Sequence, residues 1–171
     1  CVTPDAAPAI RVDPGEGPRQ FVFDRSGKFL YLVTELGNTV RVYAYNSETG
    51  AAKYLQTLPT LPNECVTDTI AACIKLHPNG EFLYASNRGH DSIASYRVHA
   101  DGMLTPLSIQ TTGGRTPRDF SITPDGEFLL SGFQDSNELI LYRIDPKNGQ
   151  LTELERTPCN SATAVLFADY E

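Results

Sequence analysis

Three glycines, Gly27, Gly80 and Gly126, set a register that the chain keeps three times. Two and three places after them stand Phe29/Leu30, Phe82/Leu83 and Phe128/Leu129. Val40, Ile93 and Leu139 follow at thirteen places, and Tyr43, Tyr96 and Tyr142 at sixteen. Before them, Phe21/Phe23, Ile74/Leu76 and Phe120/Ile122 hold the positions six and four places back. A repeat of this kind restricts the fold more than any composition does, because every copy must be the same supersecondary unit.

Each copy reads as short strands divided by turn chemistry, as in "FVF-DRSG-KFLYLVT-ELGN-TVRVYAY-NSETG-AAKYLQTL". Alternation with β-branched and aromatic enrichment predicts strands of about five to seven residues. "DRSG", "HPNG" and "TPDG" close one hairpin, and "NSETG", "HADG" and "DPKNG" close a second. Four antiparallel strands per unit, at spacings of 53 and 46 residues, predict an all-β fold of the β-propeller type, one blade per copy. No segment has helical periodicity of useful length. Residues 18–60, 68–112 and 115–158 read as three four-stranded blades. "APAIRV" (7–12), within 1–17, reads as the outer strand of a preceding blade with its linker. "SATAVLFA" (161–168) reads as the inner strand of a closing blade. Three blades do not close a ring, since propellers use about four to eight. The expectation is an incomplete ring whose missing N-terminal blades belong to the same chain.

Composition narrows the function classes. With 171 residues, 40% of them hydrophobic, and a net charge of −7, the chain has the material for a sizeable core but lacks the Lys and Arg surplus that nucleic-acid binding needs. No apolar run is long enough for a membrane helix, so neither nucleic acid nor membrane is an expected partner. Cys1, Cys65, Cys73 and Cys159 show no paired or C-x-x-C spacing. A disulfide and free buried thiols are both open; free thiols of a cytoplasmic, reducing setting are favoured.

Strand geometry singles out candidate site residues. Consecutive strands run antiparallel, so the start of a blade's first strand lies beside the end of its second. Eight places before the glycines stand Arg19, Ala72 and Arg118; eight places after stand Glu35, Arg88 and Gln134. All six are expected at one end of the propeller, near the axis. A frame that holds Phe, Leu and Tyr constant but changes the polar group from blade to blade suits a binding mouth. Arg19, Arg88 and Arg118 fit a small anionic substrate, because a guanidinium fork matches carboxylate or phosphate oxygens. The plainer alternative is that Arg19 and Arg118 pair with Glu35 or Asp119 and stiffen the rim. His90 falls in a loop at the arginine end and is placed for proton transfer, or is a solvated loop histidine beside Asp91. His77 and His99 belong to the opposite end. No His, Cys or Asp set has metal-ligand spacing, and no cofactor is indicated.

"GPRQFVF", "TELGNTVRVY", "ASNRGHDSIASYRV" and "GRTPRDFSITPDGEFLL" together resemble the lactonase-type seven-bladed propellers, which include bacterial 6-phosphogluconolactonase and fungal 3-carboxy-cis,cis-muconate cyclase. The resemblance runs over residues 15–168 and covers the C-terminal half of such a protein. It implies cytosolic, metal-independent chemistry on small anionic lactones or their acyclic precursors. It also implies active-site roles for Arg19, Glu35 and Arg88. Family members often write Pro-Arg-His where this chain has Pro18-Arg19-Gln20, and a further histidine of the family lies in upstream blades. The resulting expectation is a lactone hydrolase of 6-phosphogluconolactonase type. Glu35, Arg88 and His90 are its catalytic candidates, with Arg19, Arg118, Gln134 and Gln20 as substrate-binding candidates. Cycloisomerisation of a carboxymuconate, and non-catalytic binding of an anionic metabolite or a protein, are the alternatives.

Overall fold

The computed structural model describes residues 10–65 and 67–167. Twelve strands form three four-stranded antiparallel sheets, and no helix occurs among the described residues. The first sheet holds β1 (Pro18–Phe23), β2 (Phe29–Thr34), β3 (Thr39–Tyr45) and β4 (Ala52–Pro59) in sequence order. The second holds β5 (Ile70–Leu76), β6 (Phe82–Arg88), β7 (Ser92–Val98) and β8 (Leu104–Thr111), and the third β9 (Pro117–Ile122), β10 (Phe128–Phe133), β11 (Glu138–Ile144) and β12 (Leu151–Pro158). The inner strands β1, β5 and β9 neighbour one another in turn, which is the fan of a propeller.

Burial follows the repeat. Tyr31, Val33, Val40 and Val42 of the first blade pack on Ala71, Ile74, Leu83 and Tyr96 of the second. Phe82, Tyr84 and Ile93 of the second pack on Phe120, Leu129, Phe133 and Ile140 of the third. The second blade thus buries both faces between its neighbours, and the repeated aromatic and branched residues supply that area. The outward face of the first blade has no such neighbour. There Ile10 and Val12 lie over Leu30, Leu32 and Tyr43, while Phe21 stays 56% exposed.

The chain ends depart from the sequence expectation in detail. Ile10–Val12 carry no strand, and residues 7–9 of "APAIRV" lie outside the described residues. Residues 162–167 carry no strand either, and Ala168 lies outside the described residues. A strand is defined by its ladder, and neither segment finds a pairing partner among the described residues. The later segment still docks on the third blade in the way that blade docks on the second. Asp91 accepts from Thr116 N–H (2.8 Å) and Asn137 from Ser161 N–H (2.9 Å). Gly17, Thr116 and Ser161, each two places before Arg19, Arg118 and Thr163, share the left-handed backbone region at φ 63°, 61° and 48°. Thr163 therefore continues the series of inner-strand positions that Arg19, Ala72 and Arg118 began.

One shared irregularity shapes the inner strands. Pairing shifts by one residue between Pro18 and Gln20, between Ala71 and Ile74, and between Pro117 and Asp119. Each blade has a β-bulge where Arg19, Ala72 or Arg118 stands. A bulge bends the strand, releases backbone groups from the ladder and re-aims a side chain. Among the described residues no helix is long and apolar enough to cross a membrane. Cys65, Cys73 and Cys159 are unbridged, but only Cys73 is buried, which corrects the expectation of uniformly buried thiols. Cys65 and Cys159 sit on the connections that follow the outer strands β4 and β12, where no blade covers them.

Candidate active site

The bulge in β5 is satisfied by side chains rather than by a ladder. Arg88 Nη2 donates to the Ala71 carbonyl (3.2 Å) and Arg19 Nη1 to the Ala72 carbonyl (2.6 Å). Cys73 N–H donates to Ser86 Oγ (3.1 Å), and Ile74 N–H to Gln20 Oε1 (3.0 Å). Ala71 and Ala72 are fully buried, and their lack of a longer side chain lets the arginines approach the main chain. Backbone that a bulge frees would be costly if left unpaired. The first and second blades are therefore joined through the polar residues of the mouth.

Glu35 is the centre of this constellation. Its Oε1 accepts from Arg88 Nη2 and lies 3.9 Å from Arg19 Nε. Oε2 makes no hydrogen bond or ion pair among the described residues, and the side chain is one-third exposed. Arg88 is only 11% exposed, and its Nε–H is buried without a partner. One oxygen thus fixes the carboxylate between two guanidiniums and leaves the other open.

Beside it, a cavity of about 400 Å³ is lined by Arg19, Gln20, Arg118, Asp119 and Thr163. Its size suits a sugar-sized ligand. Arg118 Nη1 donates to Gln134 Oε1 (3.3 Å), and Asp119 Oδ2 accepts from Val165 N–H (2.9 Å). Gln20 and Asp119 are equivalent: each follows a bulge arginine and caps a backbone N–H of the segment next along the ring. In the middle blade Cys73 stands at that place, its thiol donating to the Phe120 carbonyl (3.6 Å). Burial, with the Asp119 carboxylate nearby, pushes the Cys73 thiol well up, so it stays protonated and donates.

The structure brings Arg19, Glu35 and Arg88 together, and sets Arg118 and Gln20 on the adjoining cavity, with Gln134 bonded to Arg118. His90 does not join them. Its Nδ1 meets Ser92 Oγ (2.8 Å) in the β6–β7 turn, and its described contacts include none of these residues. Gln20 directs its carbonyl oxygen to backbone, so only its amide nitrogen is free to face the cavity. Asp119 lines the cavity and Thr163 enters it unforeseen. Thr163 could have been found by extending the bulge position into "SATAVLFA", but no turn glycine fixes the register there. Among the described residues no cluster of His, Cys, Asp and Glu could hold a metal.

Comparison with known proteins identifies the family. A 6-phosphogluconolactonase of Formosa agariphila is 40% identical over 152 residues, covering 86% of this chain and 42% of that protein. The 6-phosphogluconolactonase of Bacillus subtilis is 34% identical over 145 residues, covering 84% of this chain and 42% of that one. The structure of the Pseudomonas aeruginosa periplasmic gluconolactonase PpgL superposes with a TM-score of 0.84 at 32% identity, over 89% of this chain and 42% of its own. The chain thus spans less than half the length of these relatives. Three successive four-stranded blades, their shared bulges and a match of residues 2–167 to the family model "Lactonase, 7-bladed beta-propeller" lead to one assignment: the chain belongs to the lactonase family of seven-bladed β-propellers.

Proposed function

We propose that the protein of which this chain forms the C-terminal blades hydrolyses a small anionic sugar lactone, of the 6-phosphogluconolactone type, at the axial mouth. The observation that carries the reading is the Glu35 carboxylate, held through one oxygen by Arg88 and Arg19 at the edge of a cavity fit for a sugar. Relatives named 6-phosphogluconolactonase support the substrate type.

Water attacks the lactone carbonyl carbon while Glu35 Oε2 takes its proton. The carbonyl oxygen becomes an oxyanion, which the guanidiniums of Arg19 and Arg88 stabilise where charge develops. The ring C–O bond then breaks, and the departing oxygen recovers the proton from Glu35. The product is the open hydroxy acid. No step is required of His90, whose ring rests on Ser92.

The groove of Ile10, Val12, Pro18, Phe21, Phe23, Leu30 and Leu32 on the first blade is the face that upstream blades of the same protein would cover. We place the protein in the cytoplasm, in carbohydrate metabolism of the pentose phosphate type; three unbridged cysteines fit a reducing setting. The test is Glu35→Gln in the full-length protein. Loss of a general base lowers kcat/KM on 6-phospho-δ-gluconolactone by about 100-fold or more, and an unchanged value removes Glu35 from the mechanism.

A further inference from the structure

Arg19 and Arg118 occupy the same bulge position in two blades, yet their surroundings differ. Arg19 is committed on both sides, to the Ala72 carbonyl and to Glu35. Arg88 is committed to Glu35 and the Ala71 carbonyl. Arg118 has no carboxylate in ion-pair reach among the described residues. Its one described bond is the 3.3 Å contact with Gln134 Oε1, from a single Nη. Asp119, the nearest acid in sequence, turns one oxygen to Val165 N–H instead. A half-buried guanidinium with most of its five donors unused is a fork awaiting acceptor oxygens. The cavity wall carries two guanidiniums against one carboxylate, so it keeps a net positive charge inside a protein of net charge −7.

We infer that Arg118, oriented by Gln134, binds the anionic substituent of the substrate, a phosphate ester or carboxylate remote from the reacting ester, and thereby sets specificity for charged over neutral lactones. The inference rests on the proposed lactonase reading and deepens it by dividing labour within the mouth. Arg19, Arg88 and Glu35 face the ester that reacts. Arg118 faces a group that keeps its charge through the reaction. Binding that is equal in ground and transition states changes KM and leaves kcat nearly alone. Gln134 contributes by holding one Nη, which leaves the opposite edge of the fork for a bidentate contact.

The experiment compares wild type, Arg118→Gln and Arg118→Lys in the full-length protein. Three lactones are offered: neutral δ-gluconolactone, its 6-carboxylate analogue and its 6-phosphate. Arg118→Gln should raise KM for the two charged lactones about tenfold or more while kcat falls less than threefold, and should leave the neutral lactone within twofold. Arg118→Lys keeps the charge without the fork and should fall between. A loss equal on all three lactones, or none on any, overturns the assignment. Titration calorimetry with 6-phosphogluconate, which needs no turnover, separates this inference from the lactonase reading. Affinity about tenfold weaker in Arg118→Gln upholds the subsite even if no lactone is hydrolysed. Equal affinity, or no binding to wild type at millimolar concentration, overturns it.

Discussion

The two ends of the propeller use the same repeat in opposite ways. At the hairpin end, one set of contacts recurs from blade to blade. Tyr31 Oη donates to the Gly102 carbonyl (3.2 Å) and Tyr84 Oη to the Gly149 carbonyl (2.9 Å). His77 Nε2 meets the Gly126 carbonyl (2.8 Å) while its Nδ1 accepts from Asn79 N–H (3.1 Å). These polar groups are matched to backbone of the next blade or of their own turn, and the Tyr31 contact is repeated one blade on by Tyr84. At the mouth, the equivalent position carries Arg, Ala, Arg and Thr in succession, and one guanidinium keeps most of its donors unused. Satisfied polar groups rigidify a structure, whereas a site for an anion must hold donors in reserve. Substitutions at the hairpin end should therefore cost stability, and those at the mouth activity.

Gly102 gives the largest expected break at the hairpin end. It holds φ +79°, and a Cβ there would lie 2.2 Å from Phe29 Cδ1 of the preceding blade. Gly102→Ala combines a strained backbone with overpacking, and should destabilise the full-length protein by about 3 kcal/mol. Gly27→Ala is the control, since its φ is +69° with no atom within 4 Å of the added carbon. It should cost only the backbone strain, about 1 kcal/mol. Urea denaturation measures both, with kcat/KM in the absence of urea expected to stay within twofold. A loss of activity in Gly102→Ala below its transition would break the division between the ends.

Gln20 sharpens the comparison because it stands at the mouth but bonds like a hairpin-end residue. Gln20→Ala strands the Ile74 N–H at the bulge between two blades. An unsatisfied buried donor costs about 1–3 kcal/mol, so a stability loss near 2 kcal/mol is expected, with KM little changed. An unchanged stability with a raised KM would return Gln20 to substrate binding.

Gln20 also shows what a sequence of this kind displays and what it hides. The three-fold register, the strands and the sharing of one end by Arg19, Glu35, Arg88, Arg118 and Gln134 were all legible, because side-chain spacing records them. The bulges were not. All three blades carry the extra residue at the same place, so the spacing of the copies is undisturbed. The structural bond of Gln20 leaves no trace in the sequence because its partner is a main-chain N–H 54 residues away, and backbone donors leave no mark on composition. His90 was placed at the correct end, but its ring direction depends on Ser92 and the local turn. The contrast between Arg19 and Arg118 was equally hidden, since both are written Pro-Arg.

The smallest expected effect concerns the buried tyrosines that link the blades. Tyr31, Tyr84, Tyr96 and Tyr142 all lose solvent on folding, and burial pushes each phenol well above its ordinary value near 10. Above pH 10 the unfolded chain releases these protons while the folded one keeps them. The unfolded state then binds fewer protons, so stability is fully present below about pH 10 and falls as pH rises beyond it. Tyr84→Phe removes one of these groups together with the bond to the Gly149 carbonyl. At pH 7 it should cost about 1 kcal/mol. Between pH 10 and 11 its stability should fall less steeply than that of wild type, by up to about 1.4 kcal/mol per pH unit, one proton's worth. The two curves should therefore converge as pH rises. Parallel curves would mean that the Tyr84 phenol ionises as freely in the folded blade as in water, and that the hairpin end is not the closed, fully bonded region that the comparison requires.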